Sequence, residues 1–110
     1  PAAYFSTLPF AEMTERMRQA GIPARVSNTA GTYLCNLVAY GVRHYCATRG
    51  LDITAGFIHV PSLPEQVAAA AGTNREPRPS MALAVIEQAI RVALETLSER
   101  LRGWAAAGAR

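Results

Sequence analysis

Apolar residues recur at helical spacing in three separate segments of this chain, which predicts three amphipathic helices. The first helix follows Pro9 and ends at Gly21, because glycine readily takes the left-handed conformation that closes a helix. Its apolar face consists of Phe10, Met13, Met17 and Ala20. The second helix is predicted over 33–48, and its inward stripe consists of Leu34, Leu37, Val38, Val42 and Tyr45.

The third predicted helix is the longest. Ser80 has the side chain of a good N-cap, and Gly103 is expected to end the helix, which leaves 103–110 as a loose tail. Its apolar face consists of Leu83, Ile86, Ile90, Ala93, Leu94, Leu97 and Leu101. The preceding stretch, 61–79, contains four prolines and is expected to be largely loop, with some helical character over 65–71.

Aromatic and β-branched runs between the helices predict short strands at 4–7, 24–27 and 53–60. Strand and helix then alternate, which favours an α/β fold with a mostly parallel sheet flanked by helices. At 110 residues, the chain fits one small domain or a piece of a larger one. So small a sheet cannot cover the apolar faces of its helices, and this indicates missing partners, either a second polypeptide segment or other subunits.

The charge pattern does not favour a nucleic-acid partner. The net charge is +3, and all 11 basic residues are arginines scattered along the chain instead of concentrated on one face. No apolar stretch approaches the length of a membrane span, and no signal peptide is visible. Cys35 and Cys46 would stand about 16 Å apart on one helix, beyond disulfide reach. We therefore expect free thiols and a reducing compartment.

Cys35 and His59 are the candidates for chemistry. In a β-α-β unit, the start of the helix and the end of the next strand meet at one edge of the sheet, where such folds place their ligands. A helix N-terminus favours thiolate over thiol, and a nearby imidazole adds to this effect. The alternative is structural: cysteine is often a small buried group and histidine a hydrogen-bonded one. Cys46 fits that packing role, and the spacing of the cysteines and histidines does not suit a metal site.

Several blocks of the sequence resemble the pyroglutamyl-peptidase I family. The segment 26–36, VSNTAGTYLCN, closely resembles the nucleophile signature of that family, and 56–61, GFIHVP, resembles the stretch that carries its catalytic histidine. Similar matches occur at 64–66, at 2–9 and at 79–81, in the same order as in the family. The similarity runs from residue 1 to about residue 97 and is specific because several blocks match together.

The resemblance implies a cysteine peptidase that hydrolyses the amide after an N-terminal pyroglutamyl residue. Cys35 would be the nucleophile and His59 the general base, while Tyr33 and Leu34 would contribute to the apolar pocket for the pyroglutamyl ring. The family is free of metals and cofactors, cytoplasmic and commonly tetrameric in bacteria, and its fold is a three-layer α/β sandwich. Only the C-terminal part of that fold is matched here, so the resemblance implies that 1–110 is the C-terminal portion of a single α/β peptidase domain.

The resemblance also leaves an alternative open. In the family, the glutamate that orients the histidine lies upstream of every residue matched here, as do an arginine near the oxyanion and the aromatic residues that close the pocket. Asp52 and Glu65 do not occupy the position of that glutamate. The chain by itself is therefore either part of an assembled peptidase or a catalytically incomplete fragment that folds and self-associates.

Overall fold

The helices form where the local sequence signals lie. The computed structural model describes residues 1–108, and these residues form four helices. They are α1 (Phe10–Gln19), α2 (Leu34–Thr48), α3 (Pro64–Ala69) and α4 (Leu83–Ala106). The helical character predicted over 65–71 is confirmed as α3, whose start is capped by the Gln66 side chain accepting a hydrogen bond from the Leu63 N–H at 2.7 Å.

Helices α1 and α2 end in the same kind of hydrogen-bonded turn. After α1, Gly21 has a φ of 78°, and the N–H of Ile22 donates to the carbonyl of Met17 at 2.9 Å. After α2, Gly50 has a φ of 61° and the equivalent bond is again 2.9 Å long. This turn satisfies carbonyls that the helix itself leaves unpaired, and it requires a left-handed residue. The predicted glycine ends of both helices are confirmed.

The predicted parallel sheet is wrong. Within residues 1–108 no strand forms, and the single β-bridge joins Ser62 to Ser80. Of the segments predicted as strands, 4–7 and 53–60 share one backbone hydrogen bond, from the Thr7 N–H to the Ala55 carbonyl at 2.9 Å. A parallel ladder needs a series of evenly spaced bonds, and two strands alone are marginally stable in water. The described chain is therefore helical with extended connections, and not α/β.

The boundaries of the last helix also differ from the prediction. Ser80 does not cap α4, because it takes part in the β-bridge and the helix begins only at Leu83. Gly103 does not end α4, which continues to Ala106. One glycine costs a helix only about 1 kcal/mol, which good helix formers on both sides offset. The predicted tail is thus helical at its start, and its last residues, 109–110, lie outside the described part of the chain.

The buried core lies between α1 and α4, the helices that pack on each other. It consists of Met13, Met17, Ile22 and Ala93. Two ion pairs join the same helices: Arg16 to Glu99 at 2.7 Å and Arg100 to Glu12 at 3.3 Å. The hydrogen bond from Arg16 lowers the pKa of Glu99, and the same bond raises the pKa of Arg16. These pairs are solvent-exposed, so the apolar core is the main source of stability for the helix pair.

Helix α2 presents its predicted inward stripe to solvent, so the prediction of that face is wrong. These apolar side chains are 45–73% exposed: Leu34, Leu37, Val38, Val42 and Tyr45. The face toward the rest of the chain carries half-buried or buried residues: Cys35, Ala39, Arg43 and Cys46. The radius of gyration, 16.5 Å, exceeds the value of about 13 Å for a compact domain of about 100 residues. An apolar helix face thus lies uncovered on a flat molecule.

Met13→Ala is expected to lower the free energy of unfolding by about 2–5 kcal/mol, because the side chain is buried in the α1–α4 core and its removal leaves a cavity. Leu37→Ala is the matched control on the uncovered face of α2, with an expected change of about 0.5 kcal/mol or less. Urea unfolding followed by circular dichroism measures both. Equal losses for the two variants would contradict this placement of the core.

Candidate functional site

A tight polar turn leads directly into α2. The Ser27 hydroxyl donates to the Thr29 carbonyl at 2.9 Å, and the Thr29 hydroxyl accepts a bond from the Gly31 N–H at 3.0 Å. Gly31 has a φ of 87°, in the left-handed region that favours glycine. The helix begins soon after, behind Tyr33, so that Cys35 is its second residue.

The thiol of Cys35 and the imidazole of His59 are in contact. A distance of 3.2 Å separates Cys35 Sγ from His59 Nε2. Cys35 is half-buried and its thiol is free, while His59 reaches it from the extended segment 53–60. The Phe57 ring lies edge-on to the imidazole, with ring centroids 5.2 Å apart, and restricts its rotation. The structure therefore brings together the two residues that the sequence singled out, although no sheet edge does so.

The first turn of α2 supplies unpaired backbone donors beside the thiol. Leu37 is the first residue of the helix whose N–H has a described partner, the Tyr33 carbonyl at 3.1 Å. The preceding N–H groups, of Leu34, Cys35 and Asn36, have no partner among residues 1–108. Unpaired N–H groups at the positive end of a helix stabilise negative charge. This terminus can therefore stabilise a thiolate or an oxyanion that forms near Cys35.

Tyr33 and Leu34, the two residues that precede Cys35, do not enclose a pocket. Tyr33 is 86% exposed and Leu34 is 73% exposed. Two open grooves run along α4 and are lined by residues such as Leu94 and Arg102. Neither groove is lined by residues of the Cys35–His59 pair, so these grooves do not mark a substrate pocket for that pair. At these exposures, Tyr33 and Leu34 are not enclosed by other described residues.

His59 Nδ1, the imidazole nitrogen that does not contact Cys35, has no orienting partner among the described residues. No hydrogen bond from residues 1–108 reaches His59 Nδ1. Asp52 and Glu65, the acids nearest to it in sequence, form no ion pair with it. Within the same residues, no group of three or more acidic, histidine or cysteine side chains could hold a metal ion. The chemistry that this site can support is proton exchange between the thiol and the imidazole.

Sequence reasoning missed the contacts that tie the N-terminal segment to α2. The Tyr4 hydroxyl is 3.0 Å from His44 Nδ1, and the Tyr40 ring stacks on the same imidazole with centroids 5.8 Å apart. Nearby, Arg43 Nε donates to the Phe5 carbonyl at 3.1 Å. The spacing of Tyr40 and His44, one helical turn apart, was the available signal, because such residues share a helix face. These bonds hold segment 4–7 against α2, the helix that carries Cys35.

A free thiol in contact with an imidazole at a helix N-terminus is typical of thiol-dependent hydrolases. A family model described as Pyroglutamyl peptidase matches residues 1–100 of the chain. The chain belongs to the pyroglutamyl peptidase family, and the resemblance seen in its motifs is confirmed.

The relatives include peptidases of bacteria and archaea. Pyrrolidone-carboxylate peptidase 1 of Ralstonia nicotianae is 48% identical over 100 residues, which are 91% of this chain and 44% of that protein. The pyrrolidone-carboxylate peptidase of Pyrococcus furiosus is 46% identical over 101 residues, 92% of this chain and 48% of that one. A solved structure of a mutant pyrrolidone carboxyl peptidase from Pyrococcus furiosus matches with a TM-score of 0.84 and 44% identity, covering 92% of this chain and 48% of that chain.

The chain therefore spans slightly less than half the length of these relatives, and it corresponds to their C-terminal part. Within residues 1–108, none of the helices has the length and apolar character needed to cross a membrane.

Cys35 is expected to react with iodoacetamide at neutral pH before Cys46 does. The Cys35 thiol is half-buried at the helix terminus beside an imidazole, whereas Cys46 is 4% exposed in the last turn of α2. Peptide mass mapping of the native protein over time measures both rates, with Cys35→Ala and Cys46→Ala as controls. Earlier labelling of Cys46 would contradict the assignment of Cys35 as the reactive thiol.

Proposed function

We propose that this chain supplies the nucleophile and the general base of a cysteine peptidase that removes pyroglutamate from the N-terminus of peptides. The observation that carries the proposal is the 3.2 Å contact between Cys35 Sγ and His59 Nε2 at the start of α2. The names of the relatives support the substrate class, since they are pyrrolidone-carboxylate peptidases. Tyr33 and Leu34, which directly precede Cys35, would form one side of the pocket for the pyroglutamyl ring.

The proposed reaction uses each group of the site in turn. His59 Nε2 accepts the proton of the Cys35 thiol, and the thiolate sulfur attacks the carbonyl carbon of the pyroglutamyl amide. The negative oxygen that forms accepts hydrogen bonds from the unpaired N–H groups of the first turn of α2. The C–N bond then breaks, and the imidazolium donates its proton to the leaving amine. Water, activated by His59, hydrolyses the thioester, releases pyroglutamate and restores the thiol.

The proposed enzyme also requires polypeptide equivalent to the other part of its relatives. Two observations support this requirement: the described residues leave His59 Nδ1 without a partner, and the chain spans slightly less than half the length of the relatives. The uncovered apolar face of α2 offers a surface on which such a polypeptide can pack. We further propose that the assembled enzyme is a cytoplasmic homo-oligomer, a tetramer by family resemblance, that needs no metal or cofactor.

A second candidate function is favoured by the same uncovered face. Without a complementary polypeptide, α2 can bury its apolar residues against another copy of this chain, which gives a self-associating protein without catalysis. Mass measurement of the purified native material separates the two candidates. A native mass that is a multiple of 11.8 kDa, with no other polypeptide present, indicates self-association. A heavier chain or a second polypeptide indicates the assembled peptidase.

His59→Ala is expected to reduce turnover of a pyroglutamyl amide by about 10²–10⁴-fold in the assembled enzyme, because a general base contributes this much. The enzyme for this test joins the upstream part of the Ralstonia nicotianae relative to residue 1 of this chain. His44→Ala is the matched control, since His44 is the other histidine and bonds to Tyr4 instead of Cys35. Near-normal turnover of the His59 variant would remove this residue from the mechanism.

The isolated 110-residue chain is expected to hydrolyse a fluorogenic pyroglutamyl amide no faster than its Cys35→Ala variant. The imidazole needs an orienting group to hold its tautomer and its direction, and the loss of such a group costs orders of magnitude in rate. Adding the upstream part of the relative should raise the rate for the unmodified chain and leave the Cys35→Ala variant inactive. Activity of the isolated chain well above that variant would show that it supplies its own orienting group and pocket.

A further inference from the structure

The extended segment 53–60, which carries His59, is held to the rest of the chain at Ala55. Both backbone polar groups of Ala55 are bonded to Thr7. The Ala55 N–H donates to the Thr7 hydroxyl at 2.8 Å, and the Ala55 carbonyl accepts from the Thr7 N–H at 2.9 Å and from the Thr7 hydroxyl at 3.1 Å. Among the described residues, no other backbone group of 53–60 forms a hydrogen bond. One threonine therefore provides the backbone attachment of this segment.

The residue after Ala55 allows the two segments to approach closely. A Cβ atom at Gly56 would lie 2.7 and 2.8 Å from side-chain atoms of Leu8, and it would also collide with the Ser6 hydroxyl. These distances are shorter than any ordinary van der Waals contact, so the side chains of Ser6 and Leu8 would have to move to admit a side chain at this position. Glycine at position 56 is favoured by the close approach of these two side chains, not by its own φ.

These contacts form a closed path that returns to the thiol. Segment 4–7 is bonded to α2 through Arg43 Nε and the Phe5 carbonyl, and it is bonded to Ala55 through Thr7. From Ala55 the chain runs to His59, whose imidazole contacts Cys35 on α2. Cys35 and Arg43 lie about 12 Å apart along the helix. The path sets the distance at which His59 meets the helix.

We propose that Thr7 and Gly56 are positioning residues that hold His59 Nε2 within hydrogen-bonding distance of Cys35 Sγ. The inference rests on the proposed function of the Cys35–His59 pair. Thr7 acts through its hydroxyl, which both donates to and accepts from Ala55, and Gly56 acts by leaving room for Leu8. Without these features the segment 53–60 detaches, and the imidazole no longer reaches the thiol.

The test uses variants of the 110-residue chain that differ by single groups. Thr7→Val removes the hydroxyl but keeps the shape and the backbone N–H, and Thr7→Ser restores the hydroxyl. Thr73→Val is the matched control, because the Thr73 hydroxyl also donates to a backbone carbonyl, that of Ala70 at 2.7 Å, in another part of the chain. His59→Ala sets the rate of Cys35 without its imidazole, and Gly56→Ala tests the close approach.

Two readouts are recorded for each variant. Amide hydrogen exchange by NMR at Ala55 reports the attachment of the segment, and the iodoacetamide rate at Cys35 reports the approach of His59. Thr7→Val should speed exchange at Ala55 and slow Cys35 alkylation by about two- to tenfold, because it removes both hydrogen bonds of the hydroxyl while the bond from the Thr7 N–H to the Ala55 carbonyl remains. Gly56→Ala should change both rates in the same directions, and Thr7→Ser and Thr73→Val should leave both near the original values. Alkylation of buried Cys46 detects general unfolding and should not change.

The outcomes separate this proposal from the function on which it rests. If His59→Ala slows alkylation of Cys35 while Thr7→Val changes neither readout, the positioning role is wrong and the pair stands. If the only effect of Thr7→Val is faster alkylation of Cys46, the variant unfolds the protein, and the positioning role is again wrong. If His59→Ala leaves the Cys35 rate unchanged, the pair itself is wrong, and the positioning role is overturned with it. The proposal is supported if His59→Ala, Thr7→Val and Gly56→Ala all slow alkylation of Cys35 and Thr7→Ser keeps the original rate.

Discussion

The small size of the buried core is the constraint on which the rest of this structure depends. The fully buried apolar residues lie mainly where α1 packs on α4, and they include Met13, Met17 and Ala93. Burial of apolar surface is the dominant favourable term in folding, so this helix pair is the stable part of the molecule. Everything outside it, including the site, is attached by fewer buried contacts. The flat shape, with a smallest extent of 17 Å, follows from this distribution.

The site is therefore held by hydrogen bonds more than by packing. Segment 4–7 is bonded to α2 on one side and to Ala55 on the other, and His59 completes the path at Cys35. Each such bond contributes only about 1 kcal/mol net, and it acts in parallel with the others. Local opening of this region thus costs less free energy than unfolding of the α1–α4 pair. Any polypeptide that covers α2 would stabilise the site as well as the helix.

The sequence predicted the elements whose cause is local. The ends of α1 and α2 follow from Gly21 and Gly50, and both lie where expected because a left-handed turn depends on a single residue. The sheet was not predictable in the same way, since a strand forms only when neighbouring backbone completes its ladder. Periodicity likewise identified the apolar residues of α2 but not what they contact, and they lie in solvent.

The contact between Cys35 and His59 shows how an expectation about placement can be met for a different reason. The sequence predicted that the two side chains meet at the edge of a parallel sheet, and the structure has no such sheet among residues 1–108. The two groups meet because Thr7 holds Ala55, four residues before the histidine. No pattern in the sequence indicated that bond, because hydrogen bonding by one threonine to a distant backbone leaves no periodic signal.

The distribution of groups also bears on how the proposed enzyme would be controlled. Proton transfer between a thiol and an imidazole is sensitive to their separation, and both groups belong to this one chain, 3.2 Å apart. Their contact therefore forms within this chain, although a polypeptide that covers α2 would stabilise it. In the proposed enzyme, the orientation of the imidazole through Nδ1 and the closure of a pocket beside Tyr33 would depend on docking, because the described residues supply neither. Assembly would then complete substrate binding and orient the proposed base, while the thiol and the imidazole are already in contact.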